Sequence, residues 1–382
     1  MLALLRLLLI ALLVSACSST ATRQEVALQP APAVLQALAR GVNLPIWFTY
    51  RGRPGIDPAR WYPDAEDWRL IKALGFRHVR VQFDPAYFRD PIRPGSLQPS
   101  RLADLKTALA PAWTQGLVVV LAAEPEGPEK LRLLKDEAGV GELLAFWRAF
   151  AGALSAVPPE QLVFELLNEP TETDAVSNRL LMRRLVEAAR SAAPRHTLVV
   201  EGHRYSGPDE LLAFEPLALP NLIYSFHFYE PHTFTHQGAF WGWPMFMKFS
   251  QLPYPSSPQA LAPLVEPVDV DARPHLISYG DQRWDRARID ARLQAVRDWA
   301  AATGVAVWCG EFGVSRLGPP LDSRRRWLAD VRASLEDRQI GWTLFDYTGH
   351  FGLTTGLAGA RQLDPMDAAA LSLPMPIRPM AQ

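Results

Sequence analysis

Short apolar runs recur along the chain and alternate with segments whose apolar residues return every three or four positions. The runs have the length and β-branched content of buried strands, whereas the intervening segments have the period of amphipathic helices. One such helix is expected to begin after Asp64, to bury Trp68 and Ile71, and to end at Gly75. The predicted strands span residues 41–48, 77–83, 117–122, 162–167, 198–201, 222–228, 305–309 and 342–345.

Strands that alternate with helices indicate the α/β class and a parallel sheet. Eight such units in about 330 residues predict a single (β/α)8 TIM barrel. An open doubly wound sheet is the competing fold, but the chain has no glycine-rich nucleotide loop after its first strand. The interval after strand 6 is too long for one helix, and residues 232–281 are rich in aromatic residues and proline.

That interval predicts a long inserted loop after strand 6, at the mouth of the barrel where ligands bind. Its aromatic residues Trp241, Trp243, Phe246 and Tyr254 are expected either to contact a ligand or to pack the loop onto the rim. The run of three arginines at 324–326 falls in a helical pattern and predicts a solvated face.

Composition excludes several classes of protein. The chain has 382 residues, 48% of them hydrophobic and 21% charged, with a net charge of −1. This balance is typical of a globular protein and lacks the basic surface of a nucleic-acid binder. Its 2 cysteines cannot form a disulfide framework or a four-ligand zinc site.

The N-terminus has the pattern of an export signal. Residues 1–16 are almost entirely apolar, too short to span a membrane comfortably, and small residues precede Cys17 as in a bacterial lipobox. We expect residues 1–17 to be a lipoprotein-type signal peptide, residues 18–38 a tether and residues 39–375 the catalytic domain. The alternative is a plain secretory signal in which Cys17 has no role.

Lipidation of Cys17 would make the protein an outer-membrane lipoprotein, or place it in the periplasm or at the cell surface, of a Gram-negative bacterium. The membrane contact would then be this lipid anchor alone, and Cys309 would be a free, buried thiol.

Two carboxylates stand at predicted strand ends. Glu169 follows the fourth strand and Glu311 follows the seventh, so a barrel would place them across its mouth. One rim glutamate alone would favour a salt bridge, but two facing carboxylates suit glycoside cleavage, in which one protonates the leaving oxygen and the other attacks or activates water. Candidate donors at neighbouring strand ends are Arg80, Asn168, His227 and Tyr229.

The segments Asn168-Glu169-Pro170 and Gly310-Glu311-Phe312-Gly313 resemble glycoside hydrolase family 5, within the clan of retaining (β/α)8 glycosidases. The resemblance extends over residues 40–353 and includes Phe76-Arg77-His78-Val79-Arg80 and the segment 224–229. It implies that Glu169 is the acid/base and Glu311 the nucleophile that forms a covalent glycosyl-enzyme.

The resemblance implies further roles. Arg80 would support the nucleophile, Asn168 would hold the sugar 2-hydroxyl, and His227 with Tyr229 would shape the −1 subsite. No metal or organic cofactor is implied. His227, His232 and His236 match no common metal-binding spacing, so we expect no metal site there.

The sequence departs from the family pattern in two places. The histidine that the family usually has at the end of strand 3 is absent, and Glu124 stands there. The family has a tryptophan late in strand 8, whose ring lies under the sugar in the −1 subsite, and it aligns with Phe345 here. Either this aromatic floor is smaller, or Trp342 takes the role by a shifted register. Further sugar contacts, with rim packing as the alternative, are Trp47, His203 and Tyr205.

These observations predict a retaining glycosidase that cleaves a β-linked polysaccharide, with β-1,4-glucan as the first choice and endoglucanase-like action. Hydrolysis of a self-made exopolysaccharide or of β-mannan is the alternative within this class. A non-catalytic glycan-binding lipoprotein and a structural partner of a secretion machine are the alternatives of other classes. The expected partner is a polysaccharide or oligosaccharide and no nucleic acid, and the expected state is a monomer.

Overall fold

The computed structural model describes residues 29–93, 95–171 and 174–375. The predicted signal peptide, Cys17 and most of the predicted tether lie outside these residues. Eight parallel strands, β1 to β8, close into a barrel in sequence order, with β8 paired to β1. They are Arg40–Pro45, His78–Phe83, Val118–Ala123, Leu162–Glu165, Thr197–Glu201, Leu222–Phe228, Ala306–Phe312 and Gly341–Leu344. The predicted (β/α)8 fold is confirmed.

Helices surround the barrel, and several begin at an aspartate whose side chain accepts hydrogen bonds from the first turn. Asp64 caps its helix together with Asp67 in a capping box, and Asp136, Asp174 and Asp285 cap three longer helices. The helices of six or more residues are Pro32–Ala37, Ala65–Ala73, Pro99–Thr114, Gly127–Leu134, Glu137–Leu154, Ala175–Ala192, Pro258–Val265, Arg273–Gln282, Arg286–Thr303, Leu321–Asp337 and Pro365–Ala370.

The shorter helices lie in the connections. They are Ile46–Thr49, Pro58–Trp61, Pro85–Phe88, Pro208–Leu212 and His232–Thr235, with 3-10 turns at Arg204–Ser206 and Pro244–Lys248. A two-stranded antiparallel ribbon, Thr354–Thr355 with Gln362–Leu363, follows β8. Within the described residues, no helix combines the length and apolar character needed to cross a membrane.

Alternate residues of the strands form two separate apolar cores. The larger one packs the strands against the helices. The smaller one fills the barrel interior and includes Val120, Val163 and Trp308. Val34 and Leu38 belong to the same interior cluster, so the segment from Pro32 to Leu38, predicted as part of a tether, packs against the barrel instead.

The predicted first strand ends earlier than its apolar run. It stops at Pro45, which is the N-cap of a single helical turn, Ile46–Thr49, and whose φ of −74°, fixed by its ring, is already helical. This turn buries Trp47 in the large core, where its ring lies 5.7 Å from that of Trp68. The predicted sugar contact of Trp47 is therefore wrong: its side chain is packed inside the rim.

The inserted segment after β6 contains helices as well as the predicted loop. Pro258 and Pro274 sit in the first turn of their helices, where a proline costs no hydrogen bond, so a proline-rich composition did not exclude them. Phe246 and Tyr254 are buried, and the Tyr254 hydroxyl donates a hydrogen bond to Asp330 over 2.8 Å. These two aromatic rings pack the segment onto the barrel.

The arginine run at 324–326 is not a solvated face throughout. Arg324 is buried, and its guanidinium donates to Asp367 and to the carbonyl oxygens of Val314 and Phe351. It therefore ties the last helix to the loops that follow β7 and β8. Cys309 is a free, buried thiol, as expected.

Replacement of Gly41 should test the closure of the barrel. A Cβ atom at Gly41 would lie 2.1 Å from Nε2 of His78. The ring of His78 is buried, and its two nitrogens hydrogen-bond to the Ala37 carbonyl and to the Thr343 hydroxyl. We expect Gly41→Ala to lower the free energy of unfolding by about 3 kcal/mol, because a packed core cannot admit the methyl group.

Gly141→Ala is the matched control, since it lies in the helix Glu137–Leu154 and a Cβ there meets nothing within 4 Å. It should raise the free energy of unfolding by about 0.5–1 kcal/mol, as alanine favours the helix. Urea denaturation of both variants measures this, and a Gly41→Ala protein as stable as wild type would contradict the packing.

Candidate active site

A buried arginine organises the mouth of the barrel. Arg80, on β2, donates from Nε and Nη2 to both oxygens of Glu165 at 2.7 and 2.8 Å. Its Nη1 donates to Glu311 Oε1 at 2.5 Å and to Asn43 Oδ1 at 2.9 Å, and Nη2 donates to Asn168 Oδ1 at 2.5 Å. One guanidinium thus connects side chains from β1, β2, β4 and β7.

The chain bends locally to aim Glu311 into the mouth. The pairing of β6 with β7 skips Gly310, which is a bulge that re-aims the next side chain. Only glycine fits there, because a Cβ would lie 2.5 Å from the Ser225 hydroxyl oxygen. Glu311 Oε1 then accepts from Gln82 at 3.1 Å, and Oε2 accepts from the Tyr229 hydroxyl at 2.8 Å.

Glu169 approaches from the opposite side of the mouth. It follows β4 with a φ of 44°, and its backbone N–H donates to Glu201 Oε2 over 2.8 Å. Its side chain is 29% exposed, whereas that of Glu311 is 5% exposed. An oxygen of Glu169 lies within 4.8 Å of an oxygen of Glu311. The structure brings the two predicted carboxylates together.

His227 stands between these carboxylates. Its Nδ1 lies 2.8 Å from Glu169 Oε1 and 3.6 Å from Glu311 Oε2. Burial opposes the charge of its ring, but the carboxylates of Glu311, Glu201 and Glu169 outweigh burial and raise the pKa of His227 well above its usual value. Burial, reinforced by Glu311 and Glu169, likewise raises the pKa of Tyr229 and keeps its hydroxyl a donor.

Glu124 occupies the place of the absent strand-3 histidine. It accepts hydrogen bonds from Asn168 Nδ2 and, at 3.0 Å, from Lys130 Nζ. Lys130 also donates to the carbonyl oxygen of Asn168 at 2.9 Å. Burial raises the pKa of Glu124 to about 7, with Lys130 opposing this shift and Glu169 adding to it. This carboxyl and its lysine therefore hold the segment that carries Glu169.

The two candidates for a sugar floor on β8 have opposite surroundings. Trp342 is fully buried against Phe76 and Phe312 in the outer core, and its Nε1 donates to Glu336 at 3.3 Å. The predicted role of Trp342 in the mouth is therefore wrong. Phe345 is half-buried, with its ring 6.3 Å from that of Tyr229.

The remaining candidates lie on the rim. Trp241 is half-buried, stacked on His350 at 5.0 Å and 5.9 Å from the ring of Phe351. His203 is buried. Tyr205 is 64% exposed, and its backbone N–H donates to the carbonyl of Pro170, directly after Glu169. Sugar contact by these three side chains stays a prediction.

Sequence reasoning missed several polar residues of the mouth. They are Asn43, Gln82, Lys130, Glu165, Glu201 and Ser206. A signal existed for Glu165 and Glu201, because each is a charged residue inside or at the end of an otherwise apolar buried strand. Such a residue needs a buried partner of opposite charge.

In the part of the chain that the structure describes, two sets of side-chain atoms are close enough to hold a metal ion. They are the carboxylates and imidazoles of Glu165, Glu201 and His227, and of Glu169, His227 and Glu311. The guanidinium of Arg80 already contacts Glu165 and Glu311, so these carboxylates have a positive partner from the chain itself.

A closed parallel barrel with two close carboxylates at the carboxyl ends of β4 and β7 defines the class of (β/α)8 glycosidases. Residues 40–350 match the cellulase family, glycosyl hydrolase family 5. The chain belongs to this family and is an O-glycosyl hydrolase, which confirms the family and the enzyme class predicted from its sequence.

Several relatives carry endoglucanase names. Endoglucanase C of Acetivibrio thermocellus is 25% identical over 313 residues, which cover 80% of this chain and 90% of that protein. Endoglucanase 3 of Fibrobacter succinogenes is 28% identical over 229 residues, 57% of this chain and 34% of that one. The Thermotoga maritima Cel5A structure with cellobiose superposes with a TM-score of 0.69, at 22% identity, over 89% of this chain and 100% of that one.

The raised pKa of Glu124 predicts a pH dependence of stability. The unfolded carboxyl titrates near its usual value and the folded one near 7, so its contribution is fully present at low pH and is lost as pH rises towards 7. Glu124→Gln has no such titration. We expect its melting temperature relative to wild type to increase between pH 5 and pH 8.

Glu129→Gln is the matched control, because Glu129 lies on the helix Gly127–Leu134 that also carries Lys130. Hydrogen bonds from Arg132 and Arg89 lower the pKa of Glu129, so its titration lies below this pH range. The difference between Glu129→Gln and wild type should be the same at pH 5 and pH 8. A Glu124→Gln difference that is equally flat would contradict the raised pKa.

Proposed function

We propose that this glycosidase cleaves β-1,4-glucan by double displacement, with Glu311 as nucleophile and Glu169 as acid/base. The observation that carries the mechanism is the approach of their oxygens to within 4.8 Å. Retaining glycosidases hold the two carboxyl groups about 5–5.5 Å apart, whereas inverting ones leave about 6.5–9.5 Å for a water molecule. The spacing favours direct attack by a carboxylate.

In the first step an oxygen of Glu311 attacks the anomeric carbon, and the glycosidic C–O bond breaks as Glu169 gives its proton to the leaving oxygen. Arg80 and Gln82 donate to one oxygen of Glu311 and Tyr229 to the other, which holds the attacking carboxylate in one orientation. In the second step Glu169 takes a proton from water, the water oxygen attacks the same carbon, and the bond to Glu311 breaks.

A glucan substrate is supported by the endoglucanase names of relatives that match most of the chain. The aromatic lining of the mouth supports a polymeric substrate. Three aromatic rings lead from the nucleophile to the rim. The hydroxyl of Tyr229 donates to Glu311, the ring of Phe351 lies 5.8 Å from that of Tyr229, and the ring of Trp241 lies 5.9 Å from that of Phe351. Tyr229 and Phe351 are buried, whereas Trp241 is half-buried and offers a flat apolar face on which a sugar ring can stack.

Substitution of the two carboxylates should have unequal effects. Glu311→Ala should lower kcat at least about 10,000-fold on every substrate, because no glycosyl-enzyme can form. Glu169→Ala should slow hydrolysis of cello-oligosaccharides about 100- to 10,000-fold but affect aryl β-cellobiosides with activated leaving groups far less, because these need no proton. Steady-state kinetics on both substrate types measure this.

Glu187→Gln is the control, since this exposed glutamate lies on the helix Ala175–Ala192 away from the mouth and should keep wild-type rates. Substrate choice is tested with soluble β-1,4-glucan, β-mannan and xylan, with Glu311→Ala as the blank. We expect oligosaccharides from the glucan. Release from mannan alone would overturn the proposed substrate, and equal rates in Glu169→Ala and wild type would overturn the mechanism.

We further propose that the protein is exported and anchored by lipid on Cys17, on the strength of the apolar run and the small residues before that cysteine. In cells fed radiolabelled palmitate, the wild-type protein should carry the label in the membrane fraction, and Cys17→Ser should carry none. An unlabelled wild-type protein in the soluble fraction would instead indicate a plain secretory signal.

A further inference from the structure

A buried carboxylate at the end of β5 contacts the proposed acid/base by two routes. Glu201 is 1% exposed, and its Oε2 accepts hydrogen bonds from the backbone N–H of Glu169 at 2.8 Å and from the Ser206 hydroxyl at 2.6 Å. Its Oε1 faces Nε2 of His227 at 3.5 Å. The other ring nitrogen of His227, Nδ1, lies 2.8 Å from the side-chain oxygen of Glu169.

The facing atoms have no competing hydrogen-bond partner. Among the described residues, neither Glu201 Oε1 nor His227 Nε2 has a hydrogen-bond partner, although both atoms are buried and lie 3.5 Å from each other. A buried polar atom without a partner is costly, and an imidazolium N–H directed at a carboxylate satisfies both atoms. The neighbouring carboxylate of Glu201 therefore favours a proton on Nε2 of His227, while Nδ1 hydrogen-bonds to Glu169.

The charges around this pair identify which carboxylate is ionised. Arg80 on β2 lies 3.8 Å from Glu201 Oε1, and Glu165 on β4 shares the guanidinium with Glu311 on β7. Burial and the neighbouring Glu201 raise the pKa of Glu165 to about 8 against the pull of Arg80. For Glu201, burial is outweighed by His227, Glu165 and Arg80, and its pKa is lowered.

The pKa is raised for Glu165 and lowered for Glu201, so Glu201 is the carboxylate that places negative charge beside His227. On the mouth side, Glu169, Glu311 and the neutral hydroxyl of Tyr229 are the other titratable groups near His227. The ring of His227 thus has a fixed negative charge behind it and the catalytic carboxylates in front.

We propose that Glu201 is a positioning residue that keeps His227 protonated and thereby stabilises the ionised form of Glu169 as its proton leaves. This inference rests on the proposed role of Glu169. As Glu169 gives its proton to the glycosidic oxygen, the imidazolium Nδ1–H donates to the new carboxylate. When Glu169 later takes a proton from water, that hydrogen bond weakens and His227 keeps its own proton.

Titration of His227 tests the proposal without a substrate. In protein labelled with ¹⁵N-histidine, the ring nitrogens of His227, assigned with His227→Gln, should report a charged ring at pH 7. Glu201→Gln keeps an oxygen that accepts from the Glu169 N–H but removes the charge. Its titration midpoint should fall by at least about one pH unit, because a buried counter-charge favours the protonated ring.

Two control variants separate charge from packing. Ser206→Ala removes a hydrogen-bond donor to the same carboxylate, and Glu165→Gln replaces the neighbouring carboxyl, whose pKa is raised. Both should leave the midpoint within about 0.3 pH unit of wild type, which is small beside the shift expected from loss of a charge. A midpoint in Glu201→Gln equal to wild type would overturn the proposal, as would a neutral His227 at pH 7 in the wild-type protein itself.

Kinetics supply a second readout that a merely structural role would not move. In Glu201→Gln, the alkaline limb of kcat/KM on cello-oligosaccharides should shift to higher pH, because a neutral His227, 2.8 Å from Glu169, no longer stabilises the carboxylate that forms when the proton leaves. Rates on activated aryl β-cellobiosides should change less. Glu201→Asp keeps the negative charge, so its alkaline limb should lie closer to that of wild type than the limb of Glu201→Gln does. A wild-type protein that cleaves no glucan would contradict the proposed substrate, whereas an unchanged His227 titration would contradict this inference alone.

Discussion

The buried guanidinium of Arg80 is the interaction on which the rest of the mouth depends. Four side chains from three other strands and the turn after β4 accept hydrogen bonds from it, among them Glu311 and Asn168. A buried arginine is costly unless its donors are satisfied, and removing any one partner would leave a buried N–H group without an acceptor. The same hydrogen bonds that make the arginine tolerable also fix the nucleophile and the segment that carries Glu169.

This constraint explains why so many acidic residues share one end of the barrel. Glu165 and Glu201 project from β4 and β5 next to Arg80, and the carboxylates of Glu169 and Glu311 stand above them at the strand ends. Like charges this close disfavour one another's ionisation, and the pKa values of both Glu165 and His227 are raised. The buried charges of Arg80, Glu165 and Glu201 thus influence the protonation of His227 and of the carboxylates that face the substrate.

The fold and the two carboxylates could be predicted because their signals are local: eight apolar runs with helices between them, and a glutamate just past the fourth and seventh. Trp342 and Trp47 were misplaced because an all-apolar run does not tell which side chains face the interior and which face the helices. Glu201 and Lys130 were missed because their contacts join distant residues, as Arg80 joins Glu311 across 231 positions. The helices of the inserted segment were not predicted, because its prolines suggested a loop although they lie in the first turns of helices, where proline is tolerated.

The stereochemistry of hydrolysis distinguishes double displacement through Glu311 from attack by water in a single step. With a large amount of enzyme and a soluble cello-oligosaccharide, ¹H NMR can record the anomer that is released before the two anomers equilibrate. Two displacements at the same carbon predict that the β-anomer appears first. Initial release of the α-anomer would mean that water attacks in a single step, and it would contradict the role assigned to Glu311 and the meaning of the short distance between the two carboxylates.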